Sequence, residues 1–441
     1  MKGLKYNLYL KIFAIVVIGL LLMIPAMMVM GLVNERKSTQ MAAIDEVSSK
    51  WGYQQTLNGP YISIPYNKYL KETDKKTNID KLVKVTEYIH ILPSELKIDG
   101  NLKPEKRNRS IYEIVVYNTN LNFSGKFPKF DPKEFDIAPG DIDFSKAMLE
   151  MGITDLRGIE KQIELQLNGT KVPFNPGIIS NDILSSGINS GISYEKDNNS
   201  ELNFSFSLDL RGSQVLNFTP VGKTTDVTMK STWNNPSFSG AFLPDQRNIA
   251  DTGFTANWNI LHLNRNYPQS WTGNKYSTNE SVFGIDLLLP VDNYQKATRA
   301  VKYAILFIGF TFLVFFFIEV LNKVFIHPVQ YILVGTALVI FFALLLSISE
   351  YLNFNFAYII SAISTLLLIA LYIKAILKNS SLTFLISSIL FILYSFIFII
   401  IQLQDYALLI GSIGIFLILA LVMYFSRKID WYNLNLREEE N

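Results

Sequence analysis

The chain has 441 residues, of which 49% are hydrophobic and only 18% are charged, and its formal net charge is +2. A net charge so close to zero argues against nucleic-acid binding by bulk electrostatics. The chain has no cysteine, which excludes disulfides, thiolate metal ligands and a cysteine nucleophile. The low charged fraction and the uneven distribution of apolar residues point instead to a membrane protein.

The first predicted element is a membrane anchor at residues 12–33, a run without any charged residue. At about 1.5 Å per residue, this run is long enough to cross a hydrocarbon core of about 30 Å. The basic flank (Lys2, Lys5 and Lys11) also fits a secretory signal peptide. A signal peptide, however, has an apolar core of only about 7–15 residues and a small-residue cleavage site, which the sequence VMGLVNERK does not offer. We therefore predict an uncleaved anchor after a cytoplasmic N-terminus at residues 1–11.

Residues 34–302 form the predicted extracytoplasmic domain, which begins with a juxtamembrane helix carrying Ile44, Val47 and Trp51 on one face. Beyond this helix, polar and apolar residues alternate in KLVKVTEYIHIL, SIYEIVVY, IEKQIELQL, ELNFSFSLDL and TDVTMKSTW. Alternation with a period of two, interrupted by clusters of Gly, Pro, Asn and Asp, indicates antiparallel strands. We therefore predict a mainly β, sandwich-like domain.

The sequence Phe-Ser-Gly-x-Phe occurs twice in this domain, at Phe123–Phe127 and at Phe238–Phe242. Both copies follow strand-rich segments. One interpretation is that they mark two related β-lobes of about a hundred residues each. The other interpretation is coincidence, because so few positions match.

From residue 303 onward the chain becomes apolar again in five blocks, at 303–321, 329–349, 356–373, 382–401 and 406–425. Short polar hinges separate these blocks. Backbone polar groups in lipid have to be hydrogen-bonded within their own segment, so blocks of this length are predicted to be helices. The sequence thus predicts a five-helix transmembrane bundle at residues 303–425, followed by a cytoplasmic tail at residues 426–441.

The basic residues of the short hinges predict the orientation of the spans. They occur before the first span, in alternate hinges and after the last span: Lys2, Lys5, Lys11, Lys323, Lys374, Lys378, Arg427 and Lys428. The remaining hinges carry Glu350 and Asp405 and have no Lys or Arg. Because short cytoplasmic loops are enriched in Lys and Arg, this pattern predicts six spans, both termini in the cytoplasm and residues 34–302 in the periplasm.

The candidate site is the stretch HLNRNYPQSW at residues 262–271. As a continuation of the preceding strand, it would place His262 and Arg265 on opposite faces of a sheet. Arg265 could then pair across strands while Tyr267 and Trp271 close the base of the sheet, which makes the stretch a structural corner. The second interpretation is a ligand-binding patch of these four residues, because aromatic rings beside an arginine suit a glycan or a lipid headgroup.

Catalytic and metal sites are not predicted. The histidines outside the membrane are His90 and His262, and neither accompanies a nucleophile elbow of the G-x-S-x-G type. For His90, within a strand pattern, the expected role is that of a surface or hydrogen-bonded strand residue. No histidine or acidic cluster has metal-ligand spacing, and no phosphate-binding glycine loop occurs. The sequence therefore predicts no catalytic residue, no metal and no cofactor.

Three acidic residues, Glu319, Glu350 and Asp405, lie near the ends of predicted spans. A charge at the centre of a bilayer costs about 2.5–3.5 kcal/mol on insertion scales, and a position near an interface avoids most of that cost. We therefore predict that these residues anchor the helices at the interfaces rather than form a proton or ion path.

Several long stretches resemble the CreD family of bacterial inner-membrane proteins. They follow the family's order over nearly the whole chain: NGPYISIPY (58–66), GITDLRGI (152–159), STWNNPSFSGAFLPDQR (231–247), GFTANWNILHLNRNYPQSW (253–271), and the segments 283–319, 327–350 and 405–432. The chain departs from the family pattern at Asn108–Ser110, where an Arg-Gly pair is expected, and at Gln404, where an acidic residue is usual. The resemblance implies a role in envelope integrity and in tolerance of β-lactams and colicins, and it implies no particular reaction.

Together these patterns predict a multi-domain membrane protein with an α-helical transmembrane bundle and a large, mainly β extracytoplasmic domain. The expected function is non-enzymatic, as a scaffold or a sensor of envelope state. One alternative is a protein that binds or transports a lipid or glycan in its β domain, and another is an unrecognised hydrolase or transferase. The expected partners are membrane lipids, peptidoglycan or another glycan or lipid ligand, and other envelope proteins, but not nucleic acid.

Overall fold

The computed structural model describes residues 8–73, 80–192, 201–289, 293–322, 324–403 and 406–427. The chain divides into two compact units. Residues 1–41 and 291–441 form the membrane unit, and residues 42–290 form the β unit.

Seven helices occur in the described residues: α1 Leu8–Trp51, α2 Asn293–Lys302, α3 Ala304–Asn322, α4 Pro328–Ser349, α5 Phe354–Leu377, α6 Ser380–Gln402 and α7 Ala407–Ser426. All of them except the short α2 are long and apolar enough to cross a membrane, which gives the six spans that the sequence predicts. Helix α1 is longer than the predicted anchor at residues 12–33, because it continues through the predicted juxtamembrane helix and ends at Trp51.

Side-chain caps start three of the membrane helices. Asn353 accepts a hydrogen bond from the backbone N–H of Phe356 at 3.1 Å, and Asn379 accepts from the N–H of Ser381 at 3.0 Å. His327 accepts from the N–H of Val329 at 3.3 Å at the start of α4. Such caps satisfy backbone donors that have no partner within the helix, so the short polar hinges define where these three spans begin.

Helix α2 lies in the segment that the sequence assigns to the β domain. Its residues Tyr294, Ala297, Ala300 and Val301 are buried on one face within the membrane unit. The β unit, as defined by its internal contacts, ends at residue 290. Helix α2 is difficult to recognise in the sequence because most of its residues are polar. Only the spacing of its buried residues, three to four positions apart, distinguishes it from a loop.

The β unit contains seventeen strands in its described residues: β1 Gln55–Thr73, β2 Asp80–Ile91, β3 Glu95–Arg109, β4 Tyr112–Phe127, β5 Met148–Ile153, β6 Glu164–Leu167, β7 Thr170–Pro173, β8 Asn175–Pro176, β9 Gly187–Gly191, β10 Leu202–Ser213, β11 Val215–Thr219, β12 Thr224–Ser231, β13 Pro236–Gly240, β14 Gln246–Ala250, β15 Gly253–Leu261, β16 Ser270–Thr272 and β17 Phe283–Leu287. They form two sheets, which confirms the predicted β-rich domain.

The first sheet has the order β13-β17-β11-β1-β5-β9-β8, and β2 adds to it by pairing with both β1 and β16. The second sheet has the order β14-β15-β12-β3-β4-β10-β6-β7. Most neighbouring strands pair antiparallel, as the alternation indicates, but β1 pairs with β11 and β3 pairs with β12 in parallel. Both parallel pairs join strands far apart in sequence, and alternation within a strand does not report the direction of its neighbour.

The core of the β unit follows the predicted alternation. In β10 the residues Leu202, Phe204, Phe206, Leu208 and Leu210 are buried while their neighbours face outward. The rings of β10 pack onto rings of β4, as in the stacked pair of Phe206 with Phe123 at 4.8 Å between centroids. Burial of one such side chain contributes about 1.5–3 kcal/mol to the free energy of folding. The buried residues of the alternating strands therefore stabilise the packing of the β unit.

The two Phe-Ser-Gly-x-Phe segments lie in different surroundings. Phe123–Phe127 is the end of β4, which pairs on both sides within the second sheet. Phe238–Phe242 begins in β13 at the edge of the first sheet and continues beyond it. In two related lobes these segments would occupy equivalent positions, and here they do not.

Candidate functional site

A chain of four polar side chains, which we call the His90 network, crosses the first sheet of the β unit. The Ser63 hydroxyl donates a hydrogen bond to Glu150 Oε2 at 2.5 Å and lies 3.0 Å from His90 Nδ1. His90 Nε2 lies 3.0 Å from Asp182 Oδ2. Ser63, His90 and Glu150 are fully buried, whereas the Asp182 side chain is 24% exposed. The network thus connects the interior of the β unit to its surface.

Strand pairing brings these residues together from distant parts of the sequence. Ser63 on β1 is directly opposite His90 on β2. Glu150 on β5 is opposite Tyr61, two residues before Ser63 and on the same face of β1. Asp182 comes from the loop between β8 and β9. The network therefore depends on the register of three adjacent strands.

The pKa values of the two carboxyls at the ends of the network, Glu150 and Asp182, are shifted in opposite directions. Burial raises the pKa of the Glu150 carboxyl above its ordinary value, although hydrogen bonds from Ser63 and from the Ile179 backbone oppose this effect. The hydrogen bond with His90 lowers the pKa of Asp182. The inner carboxyl is therefore the weaker acid of the two and the outer one the stronger.

The order serine, histidine and aspartate invites comparison with a hydrolytic triad. In such a triad the serine hydroxyl gives its proton to the histidine and is open to a substrate carbonyl. Here the Ser63 hydroxyl is fully buried and is also hydrogen-bonded to Glu150. Ser63 faces Nδ1 of His90 rather than Nε2. The hydroxyl is therefore out of reach of a substrate carbonyl.

Sequence reasoning placed His90 as a surface or hydrogen-bonded strand residue and did not find its partners. No local motif joins residues that lie 27 and 92 positions from His90 in the chain. One signal was present: Glu150 is an acidic residue within the apolar strand MLEMGI. A lone carboxylate in a buried strand requires hydrogen-bond partners, and this requirement predicts a polar network.

The predicted site at residues 262–271 begins with a turn rather than with a continuing strand. Strand β15 ends at Leu261, and His262–Asn264 form a short 3-10 turn. The side chain of Asn264 accepts a hydrogen bond from the backbone N–H of Leu261 at 3.1 Å, which closes this turn. The prediction that His262 and Arg265 alternate along one strand is therefore wrong.

Arg265 is buried at this corner. Its guanidinium donates to the backbone carbonyls of Val221 at 3.2 Å, Gly222 at 3.3 Å and Tyr267, and to the side chain of Gln269. The guanidinium also lies 4.0 Å from the centroid of the Tyr267 ring. Carbonyl oxygens from two chain segments, 221–222 and 267–269, thus converge on one side chain, which is the geometry of a structural corner.

The two aromatic residues of the stretch are buried beside Arg265. The Tyr267 hydroxyl donates to the Pro220 carbonyl at 3.2 Å and contacts the Ser281 hydroxyl at 2.9 Å. Trp271 on β16 is directly opposite His90, and their ring centroids are 5.7 Å apart. The corner therefore packs against the His90 network, a proximity that the sequence did not predict.

His262 is the member of the predicted patch that reaches a cavity. This cavity has a volume of about 360 Å³. Its lining combines aromatic, charged and amide side chains, among them Phe130, Phe135, Lys223, His262 and Gln269. The four predicted residues thus separate into a buried group of three and one residue at a cavity, and ligand binding stays a prediction.

Glu319, at the C-terminal end of α3, is buried in an ion pair with Lys11 of α1. Lys11 also donates to the Ile326 carbonyl at 2.8 Å, and the Tyr331 hydroxyl donates to Glu319 at 3.2 Å. Each charge is thus matched inside the membrane unit, as a buried ion pair requires. The contacts tie the start of α1 to the end of α3.

Glu350, after the end of α4, forms a second pair with α1. Its carboxylate lies 3.4 Å from Nε of Arg36 and accepts a hydrogen bond from the Tyr294 hydroxyl at 3.3 Å. Lys11 and Arg36 are separated by about 38 Å along the helix axis. That spacing is close to the full thickness of a bilayer with its interfaces, about 40–45 Å. Asp405 lies outside the described residues.

No group of three or more histidine or acidic side chains in the described part of the chain is arranged to hold a metal ion.

Comparison with known proteins gives one extended match. The family model described as inner membrane protein CreD matches residues 7–432. Inner membrane protein CreD of Escherichia coli (strain K12) is 32% identical over 437 residues, covering 98% of this chain and 96% of that protein. Among solved structures, the M1 zinc metallopeptidase from Deinococcus radiodurans is 7% identical, covers 38% of each chain and has a TM-score of 0.18. A score this low carries no argument about fold or chemistry.

Proposed function

Because this chain belongs to the CreD family of inner membrane proteins, we propose that it supports the integrity of the cell envelope as a non-enzymatic scaffold or sensor. The stress that it counters would include β-lactams and colicins, as the family resemblance implies. In this proposal the β unit lies in the periplasm, and the six spans hold it at the inner membrane.

One observation carries the non-enzymatic part of this proposal. The histidine and the serine of the His90 network, which is the arrangement closest to a catalytic one in the site, are fully buried and bonded to neighbouring side chains. A hydrolase requires its nucleophile within reach of a substrate. Burial of these groups supports a structural or sensing role for the β unit.

The experiment for this function is a tolerance assay in a bacterial strain that lacks its own CreD-family protein. Expression of the full chain is expected to raise the minimal inhibitory concentration of a β-lactam and to increase survival in colicin. The empty vector and an unrelated membrane protein of similar abundance serve as controls. An unchanged response to both agents, with the protein present in the membrane, would contradict the proposal.

The orientation rests on the basic residues of the hinges and on the two ion pairs of α1. Helix α1 pairs with the C-terminal end of α3 near its own start, so these two helices run in opposite directions. This arrangement agrees with a cytoplasmic N-terminus and with Lys374 and Lys378 in a cytoplasmic hinge.

Single cysteines test the orientation without a background signal, because the chain has none of its own. Two matched substitutions are Ser124→Cys on β4 and Ser380→Cys at the start of α6, since both serines are exposed. A membrane-impermeant maleimide should label Ser124→Cys in cells with a permeabilised outer membrane, and Ser380→Cys only after lysis. The reverse labelling pattern would contradict the proposed orientation and show that the β unit lies on the cytoplasmic side.

Membrane lipids are the first proposed partners. A cleft of about 530 Å³ between α3, α6 and α7 has an almost entirely apolar lining that includes Leu393, Leu417 and Phe425. Side chains of this kind suit acyl chains. We propose that lipid fills this cleft, whereas other envelope proteins would contact the β unit.

The alternative function, binding of a glycan or lipid ligand, is favoured by the cavity at His262. Aromatic rings together with Lys223 and Gln269 suit a ligand with both apolar and polar parts. Native mass spectrometry of the detergent-purified chain tests this alternative. A defined adduct that is lost in His262→Ala and retained in Arg247→Ala, an exposed position on β14, would favour binding over the scaffold.

A further inference from the structure

The His90 network has three contacts, and each contact requires one hydrogen atom. In one arrangement a protonated Glu150 donates to Ser63, Ser63 donates to His90 Nδ1, and His90 Nε2–H donates to Asp182. In the other, a doubly protonated His90 donates to both Ser63 and Asp182, and Ser63 donates to an ionised Glu150. Both arrangements fit the observed distances of 2.5, 3.0 and 3.0 Å.

The two arrangements contain the same number of protons. Each has one proton more than the state in which Glu150 and Asp182 are both ionised and the His90 imidazole is neutral. Without that proton, only two hydrogens remain for three contacts, so one contact brings two acceptors together. Among the buried members such a contact is repulsive and is not relieved by water. At Asp182, whose side chain is 24% exposed, the repulsion is relieved when the side chain moves into solvent. The geometry of the network therefore requires the extra proton.

The network also holds a surface loop, residues 177–186, which we call the strap. The backbone N–H of Ile179 donates to Glu150 Oε1 at 2.6 Å, and Asp182 contacts His90. Leu184 packs so closely on Gly152 that a methyl group there would overlap its side chain. These two polar contacts end on members of the His90 network, whereas the backbone contacts at the two ends of the strap, of Gly177 with Gly187 and of Ser186 with Ile153, do not.

From this arrangement we propose that the His90 network is a proton-binding site and that loss of its one shared proton loosens the strap. This inference rests on the proposed sensing function and names the signal, which is the acidity of the compartment that surrounds the β unit. The strap is bound while the network holds the shared proton and becomes more mobile as the pH rises and the proton is lost.

The sign of the effect follows from the two carboxyls. The raised pKa of Glu150 stabilises the folded site fully below the ordinary value of 4.5 and loses this contribution as the pH rises through the raised value. The lowered pKa of Asp182 stabilises the folded site at high pH instead. This stabilisation is fully present above the ordinary value of 3.8 and is lost only as the pH falls below it. Above pH 4.5 the bound strap therefore weakens with increasing pH.

The other titratable groups that face the network do not compete for this proton. Burial and the charge of Glu150 raise the pKa of Tyr61. Burial and the hydrogen bond to Glu87 raise the pKa of Tyr66 to about 12. Glu87, which also bonds Lys68, has a lowered pKa. Both phenols thus stay neutral and Glu87 stays ionised where the network titrates.

Hydrogen exchange of the strap tests the inference in the purified full chain. At pH 8 the amides of residues 177–186 should lose about tenfold of the protection that they have at pH 4.5, the ordinary value for a glutamate, after correction for the intrinsic pH dependence of exchange. In Glu150→Gln, the amide donates permanently to Ser63 while its carbonyl still accepts from Ile179. Strap protection in this variant should be equal at both pH values.

Glu87→Gln is the matched control, because it makes the same substitution in the neighbouring strand β2 outside the network. It should keep the pH dependence of the wild type. Infrared spectroscopy gives a second measurement that uses only the wild-type chain. A protonated carboxyl has its own C=O band, and this band should decrease as the pH rises from 4.5 to 8.

The inference is overturned if strap protection in the wild type does not change with pH, if Glu150→Gln retains the dependence, or if no carboxyl band titrates in this range. These outcomes concern the isolated protein. Failure of the tolerance assay in cells would instead refute the proposed envelope function, so the two failures are distinguishable.

Discussion

Replacing Lys11 by methionine is expected to lower the free energy of unfolding of the membrane unit by about 3–5 kcal/mol, the cost of breaking a buried ion pair by removing one partner. The substitution retains most of the apolar volume but leaves the buried Glu319 carboxylate without its cation. Tyr331 and the backbone of Ile326 still donate to Glu319, but neutral donors do not balance its charge. Denaturant unfolding of the detergent-solubilised chain measures the change.

Two controls separate the charge from the change of side chain. Lys50→Met removes the lysine of an exposed pair with Glu46, and this should cost no more than about 0.5 kcal/mol. Lys11→Met combined with Glu319→Gln removes both charges and should recover most of the loss. If Lys11→Met alone were as stable as the wild type, the buried ion pair would not hold α1 to α3.

Replacing Arg265 by alanine is expected to destabilise the β unit by about 3–5 kcal/mol, because several hydrogen bonds from a charged donor are lost at a buried site. The carbonyls of Val221, Gly222 and Tyr267 would lose their shared donor. Arg265→Lys should restore little of this stability, since an ammonium group lacks the planar fork that reaches several acceptors. Thermal unfolding followed by near-ultraviolet circular dichroism measures both variants.

Arg247→Ala is the control for this prediction, because Arg247 is exposed on β14. Its effect should stay within about 0.5 kcal/mol. A variant Arg265→Lys with wild-type stability would show that the forked geometry is unimportant. The same result would weaken the interpretation of residues 262–271 as a structural corner.

Much of the architecture could be predicted from local patterns. Uncharged runs of sufficient length gave the spans, because lipid allows only internally bonded segments there. Alternation gave strands such as β10, because a half-buried strand exposes every second residue. Helix α2 and the parallel pairing of β1 with β11 were not predicted, since neither leaves a signal within a single segment.

The sites could be predicted only in part, for a similar reason. Glu319 and Glu350 were recognised near the ends of spans, but their partners Lys11 and Arg36 lie more than 300 residues away. Arg265 was singled out by its unusual sequence context. The His90 network escaped prediction because its four members come from β1, β2, β5 and a loop, and only strand register brings them together.

A tolerance assay with Ser63→Ala tests the central claim, a non-enzymatic role in the envelope, most directly. The substitution removes the hydroxyl that a serine hydrolase would need but leaves both strap contacts, Ile179 with Glu150 and Asp182 with His90, in place. At mildly acidic pH and equal abundance in the membrane, the variant should give the same β-lactam and colicin tolerance as the wild type. Complete loss of tolerance in the folded variant would contradict a scaffold role that is independent of the Ser63 hydroxyl.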